Sequence, residues 1–88
     1  MDSTSQHTAE FVGLFSQNAR RLYAYIFLLL GNAADADDVF QETSRVLWEK
    51  FDQFQPGANF LAWAESVAHY QTLSFRRRRQ RDRLQFSM

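Results

Sequence analysis

Asp35-Ala36-Asp37-Asp38-Val39-Phe40-Gln41-Glu42-Thr43-Ser44-Arg45-Val46-Leu47-Trp48-Glu49-Lys50-Phe51 carries two chemistries on one helical repeat. Val39, Phe40, Thr43, Val46, Leu47, Phe51 and then Phe54 recur at helical steps, which marks one apolar face. Asp38, Gln41, Glu42, Arg45, Glu49 and Asp52 fall largely on the other side, with Lys50 at the edge. Trp48 follows Gln41 by seven residues and Arg45 by three, so it joins the polar face. Asp35 is expected as the N-cap and Asp38 in the first turn, where carboxylates suit the positive end of the helix dipole. A helix over residues 34–54 is expected.

Upstream, Phe11, Phe15, Asn18, Leu22, Tyr25 and Leu29 alternate at steps of four and three, which predicts a helix over residues 8–30. Val12, Tyr23, Phe27, Leu28 and Leu30 widen its apolar surface toward contact on two sides, and Gly31 stands where a left-handed C-terminal cap belongs. Downstream, Gln55-Pro56-Gly57 breaks the chain and Asn59 can cap a third helix over 60–83. That helix begins with Phe60, Trp63, Val67 and Tyr70 on one stripe and ends basic. Short connections between long helices predict an all-α, compact three-helix antiparallel bundle. Trp63 and Val67 are expected against the Val39, Val46 and Phe51 face, in a single domain over residues 1–88 with frayed ends at 1–8 and 84–88.

The 88 residues have a formal net charge of zero, which conceals a segregation. Residues 1–69 hold four basic groups against nine acids, a net of −5, and residues 70–88 hold six arginines against Asp82, a net of +5. A chain of this length supports one modest core, and nine phenylalanines argue against disorder. The absence of cysteine excludes a disulfide framework and thiolate metal sites. His7 and His69 have neither zinc-ligand spacing nor a nucleophile motif beside them, and no Gly-rich phosphate loop is present. No enzyme activity, metal or cofactor is therefore expected. The polar N-terminus is unlike a signal peptide, and the apolar run from Leu22 to Leu30 is too short to span a bilayer. A cytoplasmic protein with no membrane partner is expected.

Three features point to partners. Arg76, Arg77, Arg78, Arg79, Arg81 and Arg83 exceed what one helix end needs for its dipole, and they follow aromatic residues on which bases can stack. The acids, amide and ring of the second helix form a plausible protein-docking surface, against the plainer reading of a solvated face. In the turn from Phe51 to Phe60, the phenylalanines are expected to close the bundle end. Gln53, Gln55 and Asn59 can either read base edges or serve only as turn residues.

The order Asp35-Ala36-Asp37-Asp38-Val39-Phe40-Gln41-Glu42-Thr43, then Trp48, resembles the D-A-E-D-L-V-Q-E-T helix of extracytoplasmic-function sigma factors of the sigma-70 family. The Phe54 turn, Phe60-x-x-Trp63, Val67-Ala68, the closing arginines, Arg21-Leu22-Tyr23 and Leu29-Leu30-Gly31-Asn32 extend the resemblance over most of the chain. It implies an all-helical region 2 domain that docks on the β′ clamp helices of RNA polymerase core and recognises and melts the −10 promoter element. It further implies that Asp38, Gln41, Glu42, Arg45 and Trp48 lie on or beside the polymerase-binding helix. Gln53, Gln55, Asn59, Trp63, His69, Tyr70 and the six arginines would then meet DNA. Many members carry Arg-Asn where His69-Tyr70 stands here, so no promoter sequence is carried over. The family also implies that an anti-sigma factor is often a partner. Nothing in the chain resembles region 4, the second DNA-binding domain, and a fragment of a longer factor is expected over a truncated one. Two rival readings are a general helical nucleic-acid-binding module, which leaves the acidic helix idle, and a protein-interaction bundle, which leaves the aromatic surface unused.

Overall fold

The computed structural model describes residues 3–86 as helix α1 (Ser3–Leu30), helix α2 (Ala33–Glu49), a 3-10 turn (Phe51–Gln53) and helix α3 (Phe60–Phe86), with no strand among the described residues. The all-α three-helix expectation holds, and the boundaries move. Residues 3–8 and 84–86 are helical where fraying was expected, while residues 1–2 and 87–88 lie outside the described residues. The N-terminal extension has a cause in packing: the His7 ring lies 4.9 Å from Phe51 and 5.6 Å from Trp48, so α1 is anchored a turn before Phe11.

Gly31 closes α1 at φ 77°, its N–H donating to the Phe27 carbonyl at 2.7 Å, as a left-handed cap requires. The next residue opens α2. Asn32, not Asp35, is the N-cap: its Oδ1 accepts from the Asp35 N–H at 2.9 Å and its Nδ2 donates to Asp35 Oδ2 at 3.0 Å. Asp35 thus gives its orphan backbone N–H to the cap and takes the Asn32 side-chain amide in return, and its carboxylate in the first turn suits the dipole.

α2 ends at Glu49 rather than running on to Phe54. The tighter turn that follows brings residues three apart into line, so Phe51 and Phe54 stack with centroids 5.8 Å apart. Gln55 to Ala58 then form a turn closed at 3.1 Å, with Pro56 at the position that its fixed φ suits and Gly57 at φ 86°. Asn59 caps α3 as expected, its Oδ1 accepting from the Ala62 N–H at 3.0 Å.

Contacts fix the topology. Phe11 meets Phe60, Tyr25 meets His69 and Leu29 meets Arg76, so α1 and α3 run parallel. Phe15 meets Phe40 and Tyr23 meets Asp37, so α2 runs against α1. The core holds Phe11, Leu22, Ile26, Ala36, Val39, Leu47, Phe51, Phe60, Ala64 and Ala68, with Trp63 and Val67 half-buried against it. The inward stripe of α3 is thus Phe60, Ala64, Ala68 and Thr72, which Trp63 and Val67 flank. Small side chains at that stripe let three helices approach closely, and Tyr70 is left 64% exposed. The long axis reaches 57 Å against 22 and 19 Å across, and α3 is exposed from Arg76 to Gln85. No helix among the described residues is long and apolar enough to cross a membrane.

Candidate functional site

The outer face of α2 is a charged lattice. Arg45 donates to both Glu42 and Glu49, one turn away on either side. The Arg45 hydrogen bond and charge hold the Glu42 carboxyl below its ordinary value, with the Arg78 charge adding to them, and the two glutamates push the Arg45 guanidinium further up. Asp38 and Gln41 are exposed on the same face. Trp48 borders α1: it is 42% exposed, and its covered side meets Phe11 at 5.3 Å as well as His7. On that border Tyr23 donates to Asp37 at 2.9 Å, which raises the phenol through the hydrogen bond first and then through desolvation and the carboxylate charge. The five docking residues expected from the sequence are brought onto one helix, with Glu42 toward α3 and Trp48 toward α1.

The six arginines separate into unlike groups. Arg76 donates to the Leu29 carbonyl, at the C-terminal end of α1 where a cation suits the dipole. Arg79 pairs with Asp35 Oδ1 at 2.6 Å and lies 5.2 Å from the Phe75 ring centre. Arg78 and Arg79 line a cleft of about 380 Å³ together with Asp38, Val39, Glu42, Gln71, Phe75 and Asp82. Arg83 shares a neighbouring groove with Arg76, Arg79 and Asp35. Arg77 and Arg81 point elsewhere, lining a shallow outer groove with Gln80 and Leu84.

Trp63, Tyr70 and Arg77 are seven residues apart in succession, which places them on one side of α3, with Arg81 a turn further on. At the head of this stripe lies the turn carrying Gln53 and Gln55, both exposed, and Asn59. Asn59 spends its oxygen on the helix cap, which leaves its amide N–H₂ as the outward group. Trp63 packs on Phe54 at 5.1 Å and Phe60 at 5.7 Å, so one part of the ring is fixed by the core. His69 is not on the stripe: its Nδ1 faces the Tyr25 hydroxyl at 3.5 Å on α1.

Residues 14–82 match the Sigma-70 region 2 family. The chain belongs to that family. Among curated relatives, this region 2 domain is similar to the ECF RNA polymerase sigma factor EcfG of Rhodopseudomonas palustris (strain TIE-1). The two are 39% identical over 61 residues, which cover 69% of this chain and 34% of the relative. It is also similar to the ECF RNA polymerase sigma factor SigE of Mycolicibacterium smegmatis (strain ATCC 700084 / mc(2)155), 35% identical over 72 residues, covering 82% of this chain and 28% of that protein. The matched stretch thus spans about a third of the length of these relatives. No solved structure matches the chain.

Sequence reasoning missed three parts of this region 2 domain. Asn32 as the cap was readable from Gly-Asn between two helical patterns, since a left-handed Gly ends one helix and Asn favours starting another. Gln71, Phe75 and Asp82, which complete the cleft, gave no local signal. The partners of Arg76 and Arg79 lie 47 and 44 residues away, beyond the reach of any periodicity.

Proposed function

We propose that this chain acts as region 2 of an RNA polymerase sigma factor, docking on the β′ clamp helices of the core enzyme and recognising and melting the −10 promoter element. One observation carries the reading: a rigid bundle presents an acidic helix with a half-exposed tryptophan on α2 and an aromatic-to-basic stripe on α3. A general nucleic-acid module has no use for the first face, and an interaction bundle has none for the second.

Asp38, Gln41 and Glu42 offer acids and an amide to a basic partner surface, and Trp48 offers a large anchor whose position α1 already fixes. Along α3, Trp63 and Tyr70 present ring faces on which unpaired bases stack, and Arg77, Arg78 and Arg81 follow the backbone phosphates. Gln53, Gln55 and the Asn59 amide contact base edges at the head of the stripe. The chemistry is binding, with base-pair opening driven by capture of the unpaired strand rather than by catalysis.

Charge reversal at Glu42 tests the docking half. Glu42→Lys sets like charge against a basic patch and is expected to weaken capture by purified RNA polymerase core by about 1–3 kcal/mol. Thermal stability should fall by no more than about 1 kcal/mol, the scale of the solvent-screened Arg45 pair that is lost. Unchanged capture of core by Glu42→Lys would reject α2 as the docking helix.

A further inference from the structure

Four rings meet where the start of α1 crosses the end of α2. His7 and Phe11 stand one turn apart on one face of α1, and Trp48 stands three residues before Phe51 of the 3-10 turn. Each ring of the first pair touches each ring of the second. His7 lies 5.6 Å from Trp48 and 4.9 Å from Phe51, and Phe11 lies 5.3 and 5.2 Å from the same two. Phe11 and Phe51 are buried, so the core accounts for them. It does not account for His7, which is only half-buried and stands against the tryptophan that remains 42% exposed. His7 also precedes Leu14, where the match to the region 2 family begins.

We propose that His7 is a positioning residue for Trp48. Its ring braces the indole from the α1 side, so that the exposed part of Trp48 is presented to RNA polymerase in one orientation. The inference rests on the reading of Trp48 as a docking anchor, and adds which residue prepares that anchor. An indole on a helix surface samples several rotamers, and a partner that needs one of them must remove the rest at a cost in affinity. His7 and Phe11 meet the indole tilted, at 49° and 59°, and so restrict it before any partner arrives. Phe11 is held in the core by Phe51 and Phe60 as well, whereas the contacts of the His7 ring are Trp48 and Phe51. Substitution at His7 therefore reaches the indole while leaving the core rings in place.

The test measures capture of the full chain by purified RNA polymerase core. His7→Ala removes the ring without weakening the helix, since alanine is the best helix former. It is expected to weaken capture about fivefold, the scale of ordering one large side chain on binding. His7→Phe restores a ring and should recover most of the loss. In a Trp48→Ala background, which itself weakens capture, His7→Ala should have no further effect. The free chain supplies a spectroscopic signature. It has two tryptophans, so Trp63→Phe leaves Trp48 as the emitter. There His7→Ala should move the emission to longer wavelength and lower its anisotropy, and His7→Phe should reverse both. Capture by His7→Ala that equals or exceeds the parent's, or an emission that His7→Ala leaves unmoved, overturns the inference. So does a failure of His7→Phe to rescue, which would make the imidazole itself a contact, or a full loss that persists in the Trp48→Ala background. The underlying reading fails differently: if Trp48→Ala is captured as well as the parent, Trp48 is no anchor and His7 has nothing to position.

Discussion

Thr43 is fully buried on α2, and its hydroxyl has no hydrogen-bond partner. Thr72, buried across the interface on α3, donates to the Ala68 carbonyl at 2.9 Å and so is satisfied within its own helix. Replacing an orphaned hydroxyl by a methyl of nearly the same size removes a desolvation cost without opening a cavity. Thr43→Val is therefore expected to stabilise the domain by about 1 kcal/mol, measured as a rise in the urea midpoint with unchanged slope. A loss of stability would mean that the hydroxyl has a partner. Asn59 separates structure from recognition at a single position. Asn59→Ala removes the α3 cap and should cost about 1 kcal/mol, whereas Asn59→Ser keeps a capping oxygen and should cost only a few tenths. Both lose the outward amide. If that amide reads a base, both lower the discrimination between promoter-like and scrambled single strands, and only the alanine variant lowers the melting temperature. Glu42 supplies a pH test with a definite sign. Its folded value is depressed, first by Arg45 and further by Arg78, so its contribution is complete above the ordinary value of 4.5 and fades as pH falls through the lowered value. The side chain is 40% exposed, so the stability term is small. The carboxyl titration followed by NMR is the better readout, and Arg78→Ala should move its midpoint upward.

At the scale of the helices, α3 makes three surfaces from one sequence. Its inner stripe of Ala64, Ala68 and Thr72 is packed tight, so Ala68→Leu should cost about 1–3 kcal/mol through overpacking. The flank that meets the other helices carries Arg76 and Arg79, and the outer stripe carries Arg77 and Arg81. Arg79→Ala removes the Asp35 pair and the packing on Phe75 and should cost about 1 kcal/mol of stability. Arg77→Ala with Arg81→Ala should leave stability within about 0.5 kcal/mol and lower the log–log salt slope of single-strand binding by about 0.7 for each phosphate no longer neutralised. Denaturation and anisotropy on the same two proteins decide this; a large fall in salt slope in Arg79→Ala alone would reverse the assignment. The contrast also explains what the sequence made legible. Helices and breaks were readable because large apolar residues on α1 and α2 recur at helical steps and because Gly31 and Pro56-Gly57 need special backbone geometry. The inner face of α3 was not readable. Alanines and a threonine carry little hydropathy signal, so the larger Phe60, Trp63, Val67 and Tyr70 stood out as the apolar stripe instead. Six adjacent arginines likewise look equivalent in a string, and only the tertiary neighbours of each distinguish a bridge between helices from an outward cation.

As a whole, the molecule exposes 6446 Å², more than the roughly 5,400 Å² expected of a compact monomer of its mass. The excess fits a bundle 57 Å long whose third helix carries its arginines along an exposed end. Zero net charge gives no long-range attraction to DNA; the −5 and +5 portions instead make the domain bipolar. Salt should therefore weaken DNA binding steeply while hardly changing the bundle, because the core is apolar and its ion pairs lie mostly at the surface. Binding must also register as stability, since a ligand that engages only the folded domain shifts its unfolding equilibrium. At free single-stranded DNA about 100 times the dissociation constant, the gain is about 2.7 kcal/mol, which raises the melting temperature of a domain this small by about 10 °C or more. A promoter-like single strand should produce this shift at low salt, and added salt should abolish it while leaving the melting temperature of the free protein nearly unchanged. A closed duplex of the same sequence should shift it less at equal concentration, because base pairs must open before the rings of Trp63 and Tyr70 can be used. Equal shifts from duplex and single strand would show that the arginines alone account for binding, and that the aromatic stripe does not capture unpaired bases.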